Sequence, residues 1–269
     1  MEITFFQGLW FLLIFVLIAG YFVLDGFDLG AGVLYPFVAK NDRDKAIVRR
    51  SIGPVWDGNE VWLLTAGGAL FAAFPAAYAT TFSGFYLAVM LVLFGLIVRA
   101  VSLEYRGHDP QWGKVWDGCF TVGSLLPALL LGVAVGNIYA GIPMSAGGDY
   151  IGIPLLGLIT PFTLLTGLLG LSMFLAQGAT WLALKSPKPS ALRDRAVKVA
   201  FPIQIAALVL FVIVSIYGHF IVQPDMVPEL SVLRFLFAAI VLVGIVGSMV
   251  MMRKGSDLLA FLCQSAGAF

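Results

Sequence analysis

Charged side chains are scarce in this chain of 269 residues: Asp, Glu, Lys and Arg together make up 12% of it, and the net charge is +1. Soluble domains carry about 25% charged residues, whereas 60% of this chain is hydrophobic. The composition therefore excludes an ordinary soluble globular protein. The basic residues are dispersed in short loops, which excludes a nucleic-acid-binding face. The alternating apolar and polar residues of a membrane β-barrel are missing as well.

Cysteine and histidine are nearly absent, with two of each. Cys119 and Cys263 lie at or within apolar segments, so we expect neither a disulfide framework nor a cysteine metal site. His108 and His219 fall on opposite sides of the predicted membrane, so they cannot ligate one haem between them. We expect no redox centre bound by this chain alone, and we interpret His219 as an ordinary hydrogen-bonding residue.

Long apolar runs dominate what is present. About 20 apolar residues cross a bilayer as a helix, and backbone groups in lipid must be satisfied internally. The first run lacks the basic region and cleavage site of a signal peptide, so we expect it to be retained. We predict an all-α polytopic membrane protein, packed as helical bundles in one transmembrane domain over residues 1–269. Its seven predicted spans lie near 5–34, 54–75, 80–102, 117–139, 156–184, 199–222 and 232–252.

An eighth apolar segment, 258–269, has only 12 residues and is too short to cross a bilayer. It follows the basic residues Arg253 and Lys254, as a new span would. This favours a chain cut short of its natural end over a re-entrant segment.

The basic residues alternate between the two sides of the predicted bundle. Fourteen of the sixteen Lys and Arg residues lie in alternate loops, and the connections at 75–81, 140–154 and 223–231 contain none. The positive-inside rule places the basic loops in the cytoplasm. The N-terminus is therefore predicted to lie outside.

Seven ionisable residues fall within or at the edge of the predicted spans, at about one depth on the cytoplasmic side: Asp25, Asp28, Asp57, Glu60, Arg99, Glu104 and Asp117. A charge left alone in the bilayer costs at least about 2.5–3.5 kcal/mol, so these side chains should face the bundle interior, water or one another. Arg99 is the predicted counter-ion of Asp28 or Asp117, because a guanidinium can bind a carboxylate in a bidentate manner. The remaining carboxylates exceed the nearby cations, which favours a group that holds and releases a proton.

Two interpretations of this cluster remain open. In the first, Asp25, Asp28, Asp57, Glu60 and Asp117 belong to a proton pathway, and Asp25 is the leading candidate because it lies deepest without an obvious partner. In the second, Arg99, Asp28 and Asp117 form a fixed ion-pair network, while Asp57 and Glu60 cap a helix start, where acids complement the helix dipole.

The sequence is also compatible with more than one function. The intramembrane acids and glycine-rich helices also fit a stand-alone proton-coupled transporter or channel. A purely structural membrane scaffold is a third possibility.

Several longer motifs together resemble subunit II of cytochrome bd-type quinol oxidases. They are 25–30 (DGFDLG), 56–62 (WDGNEVW), 65–75 (TAGGALFAAFP), 82–86 (FSGFY), 123–127 (GSLLP), 132–137 (GVAVGN) and 177–180 (QGAT). The resemblance covers essentially the whole chain and is strongest over residues 20–140. Glu60 is a departure, since some members have glutamine there.

The resemblance implies a subunit of a quinol:oxygen oxidoreductase in the cytoplasmic (inner) membrane of a bacterium or archaeon. In that family a homologous subunit I carries the b- and d-type haems and the quinol site, and reduces oxygen to water. Subunit II supports assembly, and in some members it lines a cytoplasmic proton route and holds a lipid-like quinone.

The implied partners are subunit I in a heterodimer, quinol and oxygen through the complex, and membrane lipid, with a small accessory subunit left open. Family members have nine helices, arranged as two four-helix bundles plus one, of which this chain supplies seven and part of an eighth.

Overall fold

The computed structural model describes residues 4–224 and 228–269, and regular structure there is helical apart from one isolated bridge between Met144 and Tyr150. The predicted all-α class is confirmed. The ten α-helices are α1 (Phe5–Val38), α2 (Asp42–Ile52), α3 (Trp56–Ala73), α4 (Pro75–Gly84), α5 (Tyr86–Tyr105), α6 (Gly113–Ala140), α7 (Pro161–Lys185), α8 (Ala191–Tyr217), α9 (Pro228–Arg253) and α10 (Asp257–Ala268). A 3₁₀ turn at Leu156–Leu158 precedes α7, and a π-helical turn at Gly218–Val222 continues α8.

Local sequence signals account for the helix ends. Thr4 caps α1 and Thr160 caps α7, each through a reciprocal pair of hydrogen bonds with the residue three positions on. Asn41 caps α2 by accepting a hydrogen bond from the Asp44 backbone N–H. Pro75 separates α3 from α4, because proline has no N–H to continue a helix and suits the first helical position.

Within the part of the chain that the structure describes, six helical segments are long and apolar enough to cross a membrane: Phe5–Val38, Tyr86–Tyr105, Gly113–Ala140, Pro161–Lys185, Ala191–Val222 and Leu233–Arg253. The predicted span at 54–75 corresponds to α3, which is not among the six. Its 18 residues begin with the polar Asp57, Asn59 and Glu60, and the helix reaches only about 27 Å at 1.5 Å per residue. The predicted count of seven spans is therefore not confirmed.

Two other predicted segments differ in detail. The span predicted at 80–102 is broken at Phe85, where α4 ends and α5 begins. The segment 258–269 is helical as α10, which is 12 residues long. Part of the predicted connection 223–231 lies outside the described residues.

Side-chain contacts show which helix ends lie together. Arg195 near the start of α8 donates hydrogen bonds to the Val38 carbonyl at the end of α1 (2.7 Å) and to Asp44 of α2 (2.5 Å). Lys45 of α2 pairs with Asp117 near the start of α6 at 2.8 Å. We name this side of the bundle the α2 end; it holds the basic loops of the described chain.

The opposite end is joined by a second set of contacts. Arg234 of α9 donates to the Tyr139 hydroxyl at the end of α6 (2.8 Å) and contacts His219 after α8 (2.6 Å). Tyr139 also packs on Phe162 at the start of α7. Successive long helices therefore alternate in direction, as the distribution of basic residues predicted.

The crossing of α1 and α7 is the closest approach of two helices near the buried acids. A Cβ atom at Gly30 would lie 1.8 Å from the Phe174 carbonyl oxygen, and one at Gly178 would lie 2.3 Å from the Gly30 carbonyl carbon. Small residues permit this approach of two backbones in a membrane bundle. The crossing fixes α1 against the rest of the bundle, and α1 carries Asp25 and Asp28.

Asp257 ties the start of α10 to the α7–α8 connection. Both of its carboxylate oxygens accept hydrogen bonds from Arg193, at 2.8 and 3.0 Å, and Lys188 pairs with it as well. Burial alone would raise the pKa of Asp257, but these hydrogen bonds outweigh burial and hold the pKa below its ordinary value. Asp257 is therefore ionised at neutral pH and anchors α10.

Candidate functional site

Arg99 is at the centre of a buried ion-pair group formed by α1, α3 and α5. Its Nη2 atom donates to Asp25 Oδ1 at 2.7 Å and to Glu60 Oε1 at 2.8 Å. The side chains of Arg99 and Asp25 are fully buried, whereas that of Glu60 is 22% exposed. One guanidinium nitrogen therefore links two carboxylates from different helices, one inside the bundle and one near its surface.

The predicted pairing of Arg99 with Asp28 or Asp117 is wrong. Asp25, which was expected to lack a partner, forms an ion pair with the Arg99 guanidinium instead. Asp28 is fully buried and accepts a hydrogen bond on Oδ2 from the Asn59 side-chain amide at 2.7 Å. Asp25 and Asp28 lie on the same face of α1, about one turn apart. Arg99 therefore contacts Asp25, whereas Asn59 at the start of α3 contacts Asp28.

Asp117 belongs to a separate cluster at the α2 end. It accepts hydrogen bonds from Lys45 (2.8 Å), Arg106 (2.9 Å) and the Tyr35 hydroxyl (2.7 Å). Arg49 is 3.9 Å from the same carboxylate. This carboxylate is fully compensated because the Lys45 and Arg49 side chains of α2 extend to the start of α6, which the sequence interpretation did not anticipate.

The remaining predicted acids are on the surface of the described chain. Asp57 is exposed and accepts a hydrogen bond from the Gly58 N–H at 2.8 Å, as expected of an acid in the first turn of a helix. Glu104 is exposed near the end of α5. The seven ionisable residues therefore form one buried group and one cation-rich cluster, with two acids at the surface.

The buried group contains more negative than positive charge. Within the described residues, three carboxylates (Asp25, Asp28 and Glu60) surround the single cation Arg99. Several buried polar atoms accept or donate no hydrogen bond there: Tyr21 Oη, Asp25 Oδ2, Asp28 Oδ1, Arg99 Nε and Arg99 Nη1. Buried polar atoms ordinarily find partners, so these five atoms remain available for further hydrogen bonds.

Asn59 and Tyr21 were missed by sequence reasoning because both are uncharged. The signal for Asn59 was present in the 56–62 motif, where it lies between Asp57 and Glu60 and one helical turn before Leu63. Its amide nitrogen also donates to the Leu24 carbonyl at 3.1 Å, which joins the start of α3 to the middle of α1.

A large apolar cavity of about 600 Å³ opens at the opposite end of the bundle. Its walls come from α6, α7, α8, α9 and the end of α10, and Tyr139, His219 and Arg234 lie along it. His219 is half-buried and takes part in the Arg234 contact, whereas His108 is exposed at the α2 end. Among the described residues, no group of three or more His, Cys, Asp or Glu side chains is arranged to hold a metal ion.

Comparison with known proteins agrees with this architecture. A family model described as "Cytochrome bd terminal oxidase subunit II" matches residues 6–269. The chain is 43% identical over 216 residues to "Cytochrome bd-I ubiquinol oxidase subunit 2" of Escherichia coli, covering 78% of this chain and 55% of that protein. It is 34% identical over 273 residues to "Cytochrome bd ubiquinol oxidase subunit 2" of Bacillus subtilis, covering 97% of this chain and 76% of that protein.

A solved structure has the same fold. The bd oxidase of Geobacillus thermodenitrificans includes a chain that superimposes with a TM-score of 0.75 at 17% identity, over 97% of this chain and 82% of that one. The present chain spans about half the length of the Escherichia coli relative. The match of the family model over nearly every residue, together with these relatives, shows that the chain belongs to the cytochrome bd terminal oxidase subunit II family.

Proposed function

We propose that this chain is the subunit of a quinol:oxygen oxidoreductase that binds no haem itself. In this proposal a haem-bearing subunit I oxidises quinol and reduces oxygen to water. This chain supports assembly and lines a route for protons from the cytoplasm. Membership of the subunit II family supports the role in the complex, because the relatives from Escherichia coli and Bacillus subtilis are subunits of ubiquinol oxidases.

The observation that carries the proton route is the charge excess in the buried group. Its carboxylates run from Glu60, which is 22% exposed, to Asp25 and Asp28, which are fully buried. Ionising all three inside the bundle would be costly with one cation present, so at least one is best accommodated with a bound proton. Asp57, exposed in the first turn of α3, is the proposed entrance.

The positive-inside rule gives the route a direction. The basic loops lie at the α2 end, so that end is proposed to face the cytoplasm. Protons consumed in water formation would enter there, while quinol releases its protons on the other side. Charge is then separated across the membrane without a pump.

Asp57→Asn is the sharpest test of the route. Asp57 makes no ion pair within the described residues, so we expect its amide to leave the complex assembled with its haems while oxygen consumption slows. Asp25→Asn should slow oxygen consumption more, but it also weakens the ion pair with Arg99. The haem content of the Asp25→Asn complex must therefore be measured as well. Glu104→Gln is the matched control, because Glu104 is likewise exposed and makes no ion pair within the described residues.

Normal oxygen consumption in fully assembled Asp57→Asn and Asp25→Asn complexes would contradict the proposed proton route. The buried group would then be an ion-pair lock between α1, α3 and α5. Purification tests the wider proposal: a subunit II should copurify with a haem-bearing chain, and a colourless protein that purifies alone would favour a stand-alone transporter or channel.

The cavity at the opposite end fits the lipid-like quinone or lipid that the family resemblance implies. Its walls are almost entirely apolar, and Tyr139, His219 and Arg234 supply polar groups at one side. Such a shape accepts an isoprenoid or acyl chain with a polar head. Replacing the cavity-lining Ala238 with Phe should reduce the quinone or lipid that mass spectrometry finds in the purified complex, and an unchanged amount would remove this assignment.

A further inference from the structure

Asn59 holds two acceptors on α1 with a single amide nitrogen. Nδ2 donates to Asp28 Oδ2 at 2.7 Å and to the Leu24 carbonyl at 3.1 Å, and the side chain is only 8% exposed. A primary amide has two N–H donors, so both are used. The reversed orientation would set the amide oxygen against the Leu24 carbonyl, which cannot donate, so this contact fixes which way Asn59 points whether Asp28 is ionised or neutral.

Asp28 is the one member of the buried group without a cation. Within the described residues no Lys, Arg or His lies within ion-pair distance of it, and its side chain is fully buried. Arg99 forms its ion pair with the neighbouring Asp25, three residues earlier on α1. An unpaired carboxylate inside a membrane bundle costs at least about 2.5–3.5 kcal/mol on insertion scales, and the neutral acid avoids that cost.

A carboxylic acid has two unlike oxygens, one carrying the proton and one able only to accept. The carbonyl oxygen of a carboxylic acid is a stronger acceptor than its hydroxyl oxygen, so the hydrogen bond from Asn59 favours Oδ2 as the carbonyl oxygen and places the proton on Oδ1. Oδ1 makes no hydrogen bond with any described residue. The contact with Asn59 therefore favours release of the Asp28 proton from Oδ1.

We propose that Asn59 is a positioning residue that keeps the proton of a neutral Asp28 on Oδ1. Its N–H also stabilises the ionised form when the proton leaves, since hydrogen bonds to a carboxylate favour the charged state. In the proposed route, Asp28 then gives its proton to water, and recovers one from water, at one fixed atom. Only this last step depends on the proposed proton route; the protonation state of Asp28 and its orientation do not.

Infrared absorption spectra of the purified, haem-loaded complex, with the spectrum of each variant subtracted from that of the unsubstituted complex, test the proposal directly. A protonated Asp28 gives a carboxylic C=O band that shifts in D₂O and is lost in Asp28→Asn. Asn59→Leu removes the hydrogen bond to that C=O, so the band should move to higher frequency, and Asn59→Ser, which retains one donor, should move it less. Asn137→Leu is the matched control, because Asn137 is also buried with two hydrogen bonds, to Val133 and Leu158, far from Asp28.

Two outcomes would overturn the proposal. If no carboxylic band is lost in Asp28→Asn, Asp28 is ionised; this needs no Asn59 variant and so does not depend on whether Asn59→Leu assembles. If the band exists but is unmoved in Asn59→Leu or Asn59→Ser, Asn59 does not position it.

Turnover separates this proposal from the proton route. We expect Asn59→Leu to slow oxygen consumption by about ten- to a hundredfold, the effect of losing one hydrogen bond to a charged group. A shifted band with normal turnover would support the positioning of Asp28 and count against the proton route.

Discussion

Arg99 uses one nitrogen atom to hold two carboxylates, and no other cation contacts either of them in the described chain. At this scale the stability of the buried group depends on a single side chain. By contrast, the carboxylate of Asp117 has three cations nearby and can lose one of them.

For Arg99→Ala we expect a loss of about 3–5 kcal/mol, since removing one partner leaves buried charge uncompensated. The haem-loaded complex in membranes should fall sharply, measured from its absorption spectrum. Arg106→Ala, which leaves Asp117 paired with Lys45, should assemble nearly normally. Adding Asp25→Asn and Glu60→Gln to Arg99→Ala should restore part of the assembly, and full assembly of Arg99→Ala alone would contradict this interpretation.

The residues of the site were largely predictable, but their pairing was not. Intramembrane acids are expensive, so Asp25, Asp28 and Arg99 stand out in an apolar chain. Which carboxylate meets the guanidinium depends on the rotation of α1 against α5, and that rotation is set by contacts such as Gly30 on Phe174. Asn59 carries no charge and so gave little signal.

At the scale of elements, α1 is held by α7 through backbone contact. A Cβ at Gly30 would collide with the Phe174 carbonyl oxygen, which cannot rotate away as a side chain could. Gly8, on the same helix, has open space around its Cβ position.

We therefore expect Gly30→Ala to lower the thermal unfolding midpoint of the purified complex, with an overpacking cost of about 1–3 kcal/mol. Gly8→Ala should leave the midpoint unchanged. Equal midpoints for the two variants would mean that α1 can shift along α7 without loss, and the crossing would not fix the position of Asp25 and Asp28.

The elements themselves followed from the apolar runs, because a helix in lipid must be long and satisfy its own hydrogen bonds. Two features escaped prediction. The amphipathic α2 lies in a basic connection and is too short and polar to resemble a span. The break at Phe85 falls within a continuous apolar run, so hydropathy could not place it.

For the whole molecule, the unequal distribution of basic residues predicts orientation. Cysteines placed at Ser145, between α6 and α7, and at Arg43, on α2, would report the two ends. In spheroplasts a membrane-impermeant maleimide should label Ser145→Cys without further treatment. It should label Arg43→Cys only after the membrane is permeabilised. The unsubstituted protein is the control for labelling of Cys119 and Cys263. The reverse labelling pattern would place the α2 end outside the cell and so contradict the proposed entry of protons from the cytoplasm.

The two halves of α1 are under different constraints. Residues 5–13 are all exposed in the described chain, while 25–35 are all buried. In the first stretch this chain packs nothing against the side chains, so where lipid surrounds them one apolar side chain should serve as well as another. In the second, volume, polarity and even the absence of a side chain are specified position by position. One continuous helix should therefore tolerate exchange among apolar residues over 5–13 and almost no replacement over 25–35.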